Sequence, residues 1–467
     1  EHAGFQVLAA ELLERDGSIE DAAELYQAAG DSEGLARMIV RHAPSLIGQG
    51  RYRTLDQWIT SALSDARVEN AWLLFWRGEC SQPTDPPRAR KNFERALELF
   101  QEKKDNTGEL LAWSGIVETF TYEWNDFTPL ERWIRWLDGR AKKGIVYPSA
   151  AVEARVSFSM AAALMIHRPA HPRVRWWWER ALTLQRDAGD VSLALQSLSV
   201  AAGYYFMLGD IAGRKSVVRD IHALARMPQA SPLAQLTWMW LEAAIGIWAL
   251  MTPDQALGKI MEALAYAEAT GVHVWDHMLF ALGVYGSLMK DDLERGREFI
   301  GNLERTLAPS RRHGYCHYHY LIAWERLLAG DLAAAKTNAE TALNLAEETG
   351  YQFPVILCSL ELVQALLGLG SAGGAAAHAA RAHDLALRSK SVVLEYMALL
   401  AKAQVALSRG HDASGLRSLR EGLRLGREQG YVNQLWWRHP PSLSRLCARA
   451  LDAGIEVEYV RGLITRH

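Results

Sequence analysis

Several things are scarce in this chain of 467 residues, and each scarcity removes a class of function. There are only four cysteines, Cys80, Cys316, Cys358 and Cys447. None stands in a C-x-x-C spacing, so a zinc cluster has no support. Sparse, isolated thiols fit buried residues in a reducing cytoplasm. Net charge is only -3. A surface built to hold nucleic acid needs clustered Lys and Arg, so direct nucleic-acid binding is not expected. No apolar run stands out at the roughly 18 residues of a membrane span. No N-G or D-G turn is flanked by alternating strands, so β-structure is not indicated. There is no G-x-x-x-x-G-K-[ST], no H-E-x-x-H and no G-x-S-x-G. Phosphate cradling, zinc hydrolysis and serine-type nucleophilic catalysis therefore lack their usual carriers. The chain does not start with Met, and its first residues already follow a helical pattern. It reads as a fragment of a longer protein, without a signal peptide.

What is present is a repeated turn. Apolar helical stretches end at Asp210, Asp254, Asp292, Asp331, Ser371 and Asp412, in turns such as "LGDIAGRKS" and "AGDLAAAKT". The spacings run from 38 to 44 residues, within the range of helical repeat arrays. After the turn the later units carry small residues on one helical face: Ala335, Ala339 and Ala342, then Ala375, Ala379 and Ala382. Such a face lets a neighbouring helix approach closely. Gly-containing stops ("EATGVH", "EETGYQFP", "REQGYVN") end the second helices. The expected fold is all-α, a right-handed superhelical solenoid of antiparallel helix pairs with repeats of about 40 residues.

The pairs Ala323 with Ala335, Val363 with Ala375, and Ala403 with Gly415 place small residues where tetratricopeptide repeats have them. The array thus resembles tetratricopeptide repeats, in the longer-period variety of MalT-like bacterial regulators. Arg214 departs from that pattern, and between 72 and 190 the register breaks. The stretch from 7 to 59, "VLAAELLERDGSIEDAAELYQ…", resembles the helical arm that follows the winged-helix segment in STAND-class ATPases of the MalT and LuxR type. The stretch from 430 to 467, "GYVNQLWWRHPPSLSRLCARALDAGIEVEYVRGLITRH", resembles the end of the repeat region in large STAND regulators. The resemblance implies three parts: an arm over 1–70 leading from an ATPase upstream, a repeat superhelix over 71–435, and capping helices over 436–467 leading towards an effector. It also implies a sensor without catalysis or cofactor of its own. An inducer or a protein would bind in the groove, and the parent's ATPase and self-association would follow. A stand-alone repeat adaptor is the alternative, and a glycan-active solenoid a third.

The chemical candidates are few. "HYHYLIAW" places His317 and His319 two residues apart, about 200° around a helix, so they cannot grip one ion. His317, Tyr320 and Trp324 share a stripe. They read either as a binding strip on the concave wall or as packing between repeats. The same register sets His277 beside His317, and Gln364 and Gln404 at the level of Trp324. Trp176, Trp177 and Trp178 in "RVRWWWERAL", near Arg173 and Arg175, turn about 100° apart, so at least one should meet solvent or a partner. Trp436, Trp437 and Arg438 raise the same question at the closing helix. Glu123, Asp126 and Glu131 near Trp124, Trp133 and Trp136 hold carboxylates beside aromatics, as glycoside hydrolases do, but without a visible cleft.

Overall fold

A computed structural model describes residues 2–64, 70–142, 144–188, 190–307, 312–432 and 440–466. Every regular element among them is helical. Four helices open the chain: α1 (His2–Asp16), α2 (Ile19–Ala29), α3 (Ser32–Gly48) and α4 (Tyr52–Ala62). Nine helix pairs follow. They are α5 (Ala71–Ser81) with α6 (Pro86–Lys103), α7 (Asn106–Glu123) with α8 (Leu130–Ala141), and α9 (Ala150–His167) with α10 (Val174–Ala188). Next come α11 (Val191–Leu208) with α12 (Ile211–Leu224), α13 (Pro232–Ile245) with α14 (Pro253–Thr270), and α15 (Asp276–Leu288) with α16 (Leu293–Thr306). The last three pairs are α17 (Arg312–Leu328) with α18 (Leu332–Glu348), α19 (Gln352–Gly368) with α20 (Ala372–Ser389), and α21 (Val392–Ser408) with α22 (Asp412–Gln429). Two helices close the chain, α23 (Pro440–Asp452) and α24 (Val457–Arg466).

The repeated turn has a plain cause. Gly209 and Gly330 take φ of 71° and 83°, a left-handed conformation that ends one helix without a Cβ clash. The next residue, Asp210 or Asp331, accepts a hydrogen bond from the backbone N–H three residues on, at 2.8 and 3.0 Å, and so starts the next helix. Asp292 does the same. Two of the expected aspartates sit inside the helix instead. Thr252, not Asp254, caps α14 through a capping box with Gln255, and His411 precedes Asp412 at the start of α22.

Odd-numbered helices from α5 to α21 contact one another in series and form the inner wall, while their even-numbered partners lie outside. Outer helices such as α16 and α22 bury one stripe only. Inner helices such as α7, α9, α13 and α19 are buried on nearly every face. A helix that is apolar all round belongs in an interior. This corrects one expectation from the sequence: Val191–Leu208 and Pro232–Leu250 are long and apolar enough to cross a membrane, yet both are inner helices packed within the array.

Small residues work as expected in the later units. Ala335, Ala339, Ala342, Ala375, Ala379 and Ala382 are all buried. A Cβ on Gly415 would stand 2.7 Å from Leu407, so only glycine permits that approach. The arm helices α1 to α4 have a core of their own, shared with Leu73 and Cys80 of α5, while a second continuous core runs from Ala71 to Val460.

Candidate ligand-binding lumen

The inner wall curls until its two halves meet. The turn after α7 carries Trp124 at φ 48°, ψ 53°. That conformation costs a bulky side chain on the order of 1–3 kcal/mol and persists only where the surroundings enforce it. Here the indole packs on Phe127 and Trp240 from its own half. From the far half it meets His313 and Tyr351, with ring centroids 5.1 and 5.7 Å away. Backbone hydrogen bonds close the same seam. Phe127 N–H donates to the Thr349 carbonyl at 2.8 Å, Arg312 N–H to Asn125 Oδ1 at 2.7 Å, and Val432 N–H to the Ala249 carbonyl at 2.7 Å. Further along, α11 touches α21. The groove is thereby converted into a lumen.

The larger recess in this lumen has about 1280 Å³ of empty space, including its open mouth. Its walls come from α7, α9, α11 and α13, and from the segments that lead into α15, α19 and α21. Among the described residues that line it, none is charged. The aromatic members include Trp240 stacked on Trp275 at 4.2 Å, with Trp275 Nε1 donating to Thr237 Oγ1 at 3.0 Å. The indole N–H groups of Trp124, Trp240 and Trp248 are buried and meet no hydrogen-bond acceptor among the described residues.

A smaller recess of about 450 Å³ adjoins it. Trp124, Trp248, Tyr351 and Phe353 line both and form the partition. A basic rim, His167, Arg168, His171 and Arg388, flanks the larger recess and shares Pro169 and Gln352 with it.

The stripe of His317, Tyr320 and Trp324 divides. His317 and Tyr320 line the smaller recess. His317 Nε2 lies 3.1 Å from the Tyr285 hydroxyl, and burial lowers its pKa to about 4, which leaves the imidazole neutral at pH 7. Trp324 has no exposed surface and packs on Tyr285, so it is a core residue rather than a groove anchor. His277 is likewise buried and lines neither recess. Gln364 and Gln404 donate to each other at 2.8 and 2.9 Å, and Gln404 also donates to Ser442 Oγ at 3.0 Å. The two amides satisfy one another between helices, so the expected column of His277, Gln364 and Gln404 beside Trp324 does not form one open wall.

The tryptophan triplet is also divided. Trp176 is 46% exposed, with the Arg173 guanidinium 4.8 Å from its ring. Trp177 and Trp178 are buried, Trp178 against Phe158 and Tyr204. The 100° step between neighbours turns two inward and one outward. Trp436, Trp437 and Arg438 lie outside the described residues. The three carboxylates line neither recess and each has a partner: Glu123 pairs with Arg90, Asp126 accepts from the Thr128 N–H at 2.9 Å, and Glu131 bonds Arg135 at 2.6 Å, Arg168, and His167 at 3.3 Å. Among the described residues no three His, Cys, Asp or Glu side chains converge on a metal position. Cys316 and Cys358, distant in sequence, are neighbours in space, with sulfurs 3.8 Å apart.

Sequence reasoning missed Trp124, Trp240, Trp248 and Trp275 as lumen residues. One signal was present: 232–250 carries three tryptophans and only one charged residue, Glu242.

No known protein family matches the chain, and no curated protein matches it. Three solved structures are similar in outline. Rap protein complexed with competence and sporulation factor shares 11% identity, covering 68% of this chain and 88% of that one, with a TM-score of 0.47. Yeast Tom70 shares 13%, covering 97% and 96%, at 0.38. A human IFIT1 dimer with m7Gppp-AAAA shares 13%, covering 90% of each, at 0.43. At these TM-scores the likeness carries no argument, and the all-α repeat assignment rests on the helix pairs themselves.

Proposed function

We propose that this chain is the sensing repeat array of a STAND-type signal-transduction regulator, and that it takes an inducer into the lumen. The observation that supports this is the charge-free aromatic recess closed by contacts between residues about 180 to 220 positions apart. An occupant touches α7 to α13 on one side and the starts of α19 and α21 on the other. It therefore favours the closed ring over any opened form. A ligand shifts an equilibrium only by its differential affinity, and about 5.5 kcal/mol moves a switch from mostly off to mostly on. Several aromatic contacts supply energy of that size, whereas one hydrogen bond does not. The arm α1 to α4, with its own core, is the element that passes the change to an ATPase in the parent protein.

The test is a filled lumen. Gly203 lines the recess on α11, and a Cβ there meets only Leu241 at 3.7 Å. Gly203→Phe should fold, because glycine is a poor helix residue, while its ring occupies the space. Native mass spectrometry of the chain purified from its own source should find a small molecule on the wild type and none on Gly203→Phe. A molecule retained equally by both would remove the lumen from consideration. A P-loop encoded upstream in the same reading frame would support the STAND setting; its absence would favour the stand-alone adaptor.

A further inference from the structure

We infer that the occupant of the larger recess is an amphipathic monoanion, with an uncharged hydrocarbon or aromatic body in the lumen and its single acidic head at the rim formed by Arg168 and Arg388. This rests on the reading of the lumen as the binding site and adds the chemical class of what fills it.

Two observations carry the inference. The first is the lining. With no Asp, Glu, Lys, Arg or His in the wall, a charged group inside would be desolvated without a counter-ion, at a large cost. A free peptide or a nucleotide carries several such groups. A sugar would leave many hydroxyls unpaired against Phe158, Met165, Ile166 and Leu241. The body that fits is apolar.

The second is the sign of the rim. Pro169 and Gln352 belong to both the larger recess and the rim, so the two are continuous. The rim's ionisable members are Arg168, Arg388, His167 and His171. Glu131, which holds Arg168 and His167, and Asp384, which holds Arg388, do not line it. The ionisable side chains that line the opening are thus all basic, and their carboxylate partners are not among the lining residues.

The same rim excludes a cation. An aromatic hollow can also hold a cation over its ring faces, but a basic rim repels one on entry.

The experiment compares three probes of equal chain length: dodecanoate, dodecanol and dodecyltrimethylammonium, each below its micelle concentration. Binding is followed by calorimetry and by quenching of tryptophan fluorescence, since four tryptophans line the recess. Dodecanoate should bind most tightly. Arg168→Gln with Arg388→Gln should weaken it roughly tenfold or more, the scale of a charge-assisted contact, and leave dodecanol unchanged. Arg388→Gln alone, whose ion pair among the described residues is the exposed one to Asp384, should give part of that loss without disturbing the Glu131 cluster. Equal affinity for dodecanoate and dodecanol, unmoved by the arginine variants, would overturn the acidic head while the lumen stands. Preference for the ammonium would do the same. Dodecanoate binding that survives Gly203→Phe, or no binding of any probe, would overturn the lumen assignment along with it.

Discussion

The pairs from α17 to α22 and those from α7 to α14 are built from the same unit and pack in opposite ways. In the later pairs a ladder of alanines, each with almost no exposed surface, lets each outer helix mesh closely with its inner partner. In the earlier pairs the small position of α12 is taken by Arg214, half-buried with its guanidinium 5.8 Å from the centre of the Phe206 ring. The inner helices there carry Trp, Tyr and Phe that cannot interlock as closely. The regular half leaves the smaller recess, beside α17 and α19, and the irregular half the larger one. Departures from the repeat pattern are thus where a site is to be sought, since close packing in a solenoid leaves room only where its spacing rule is relaxed.

The sharpest way to break this contrast lies in the earlier half. Arg155 on α9 bonds Glu118 at 2.8 Å and Glu79 at 2.6 Å, and Ser159 Oγ adds a hydrogen bond to Glu118 at 2.8 Å. Arg155→Met strands two largely buried carboxylates and should cost about 3–5 kcal/mol, read as a fall in denaturant midpoint. Adding Glu79→Gln and Glu118→Gln should return much of that loss. If Arg155→Met melts like the wild type, the earlier pairs are not held by this ionic register. Trp324→Ala tests the later half. A wholly buried tryptophan should cost about 3–5 kcal/mol, with ligand affinity unchanged at temperatures where the chain stays folded. Weaker binding without destabilisation would return Trp324 to the groove.

The difference between the halves also governs what could be read in advance. The Gly-Asp turns and the alanine faces are local chemistry, so helix pairs and period were legible. The caps at Thr252 and His411 shifted by one or two residues, because several polar residues compete for the same role. The stripe of His317, Tyr320 and Trp324 was legible as a stripe, but its direction was not. An inner helix apolar on most faces carries no periodic signal of which side faces the lumen. Closure through Phe127 with Thr349, or Val432 with Ala249, joins residues more than 180 positions apart and leaves no mark in either segment. The charge-free recess exists only once those ends meet.

Filling each half separately sharpens the comparison. Ala379→Leu intrudes on a meshed interface and should cost about 1–3 kcal/mol. Gly203→Phe grows into empty space and should stay within about 1 kcal/mol of the wild type, since lost helix-breaking offsets any strain. Paired thermal melts decide this. Equal losses would mean that the earlier half is as tightly meshed as the later one and that the recess closes in solution.

The smallest effect is one of pH. His317 sits at the junction of the two halves, where burial lowers its pKa to about 4 from an ordinary 6.5. Between those values the unfolded chain binds the proton and the folded chain does not. Stability from this group is therefore complete above pH ~6.5 and is lost as pH falls towards 4, at up to about 1.4 kcal/mol per pH unit. Burial also lowers the pKa of His378 and His383, which push in the same direction, so the informative quantity is a difference between variants. Glu361, wholly buried, has its pKa raised by that burial and pushes in the opposite direction, losing stability as pH rises above about 4.5. His317→Gln keeps a partner for the Tyr285 hydroxyl but cannot titrate. Denaturant midpoints of wild type and His317→Gln should run parallel above pH 7 and converge or cross towards pH 5. A lumen ligand that excludes water from the smaller recess should steepen the wild-type loss, and parallel curves throughout would show that water reaches His317 freely.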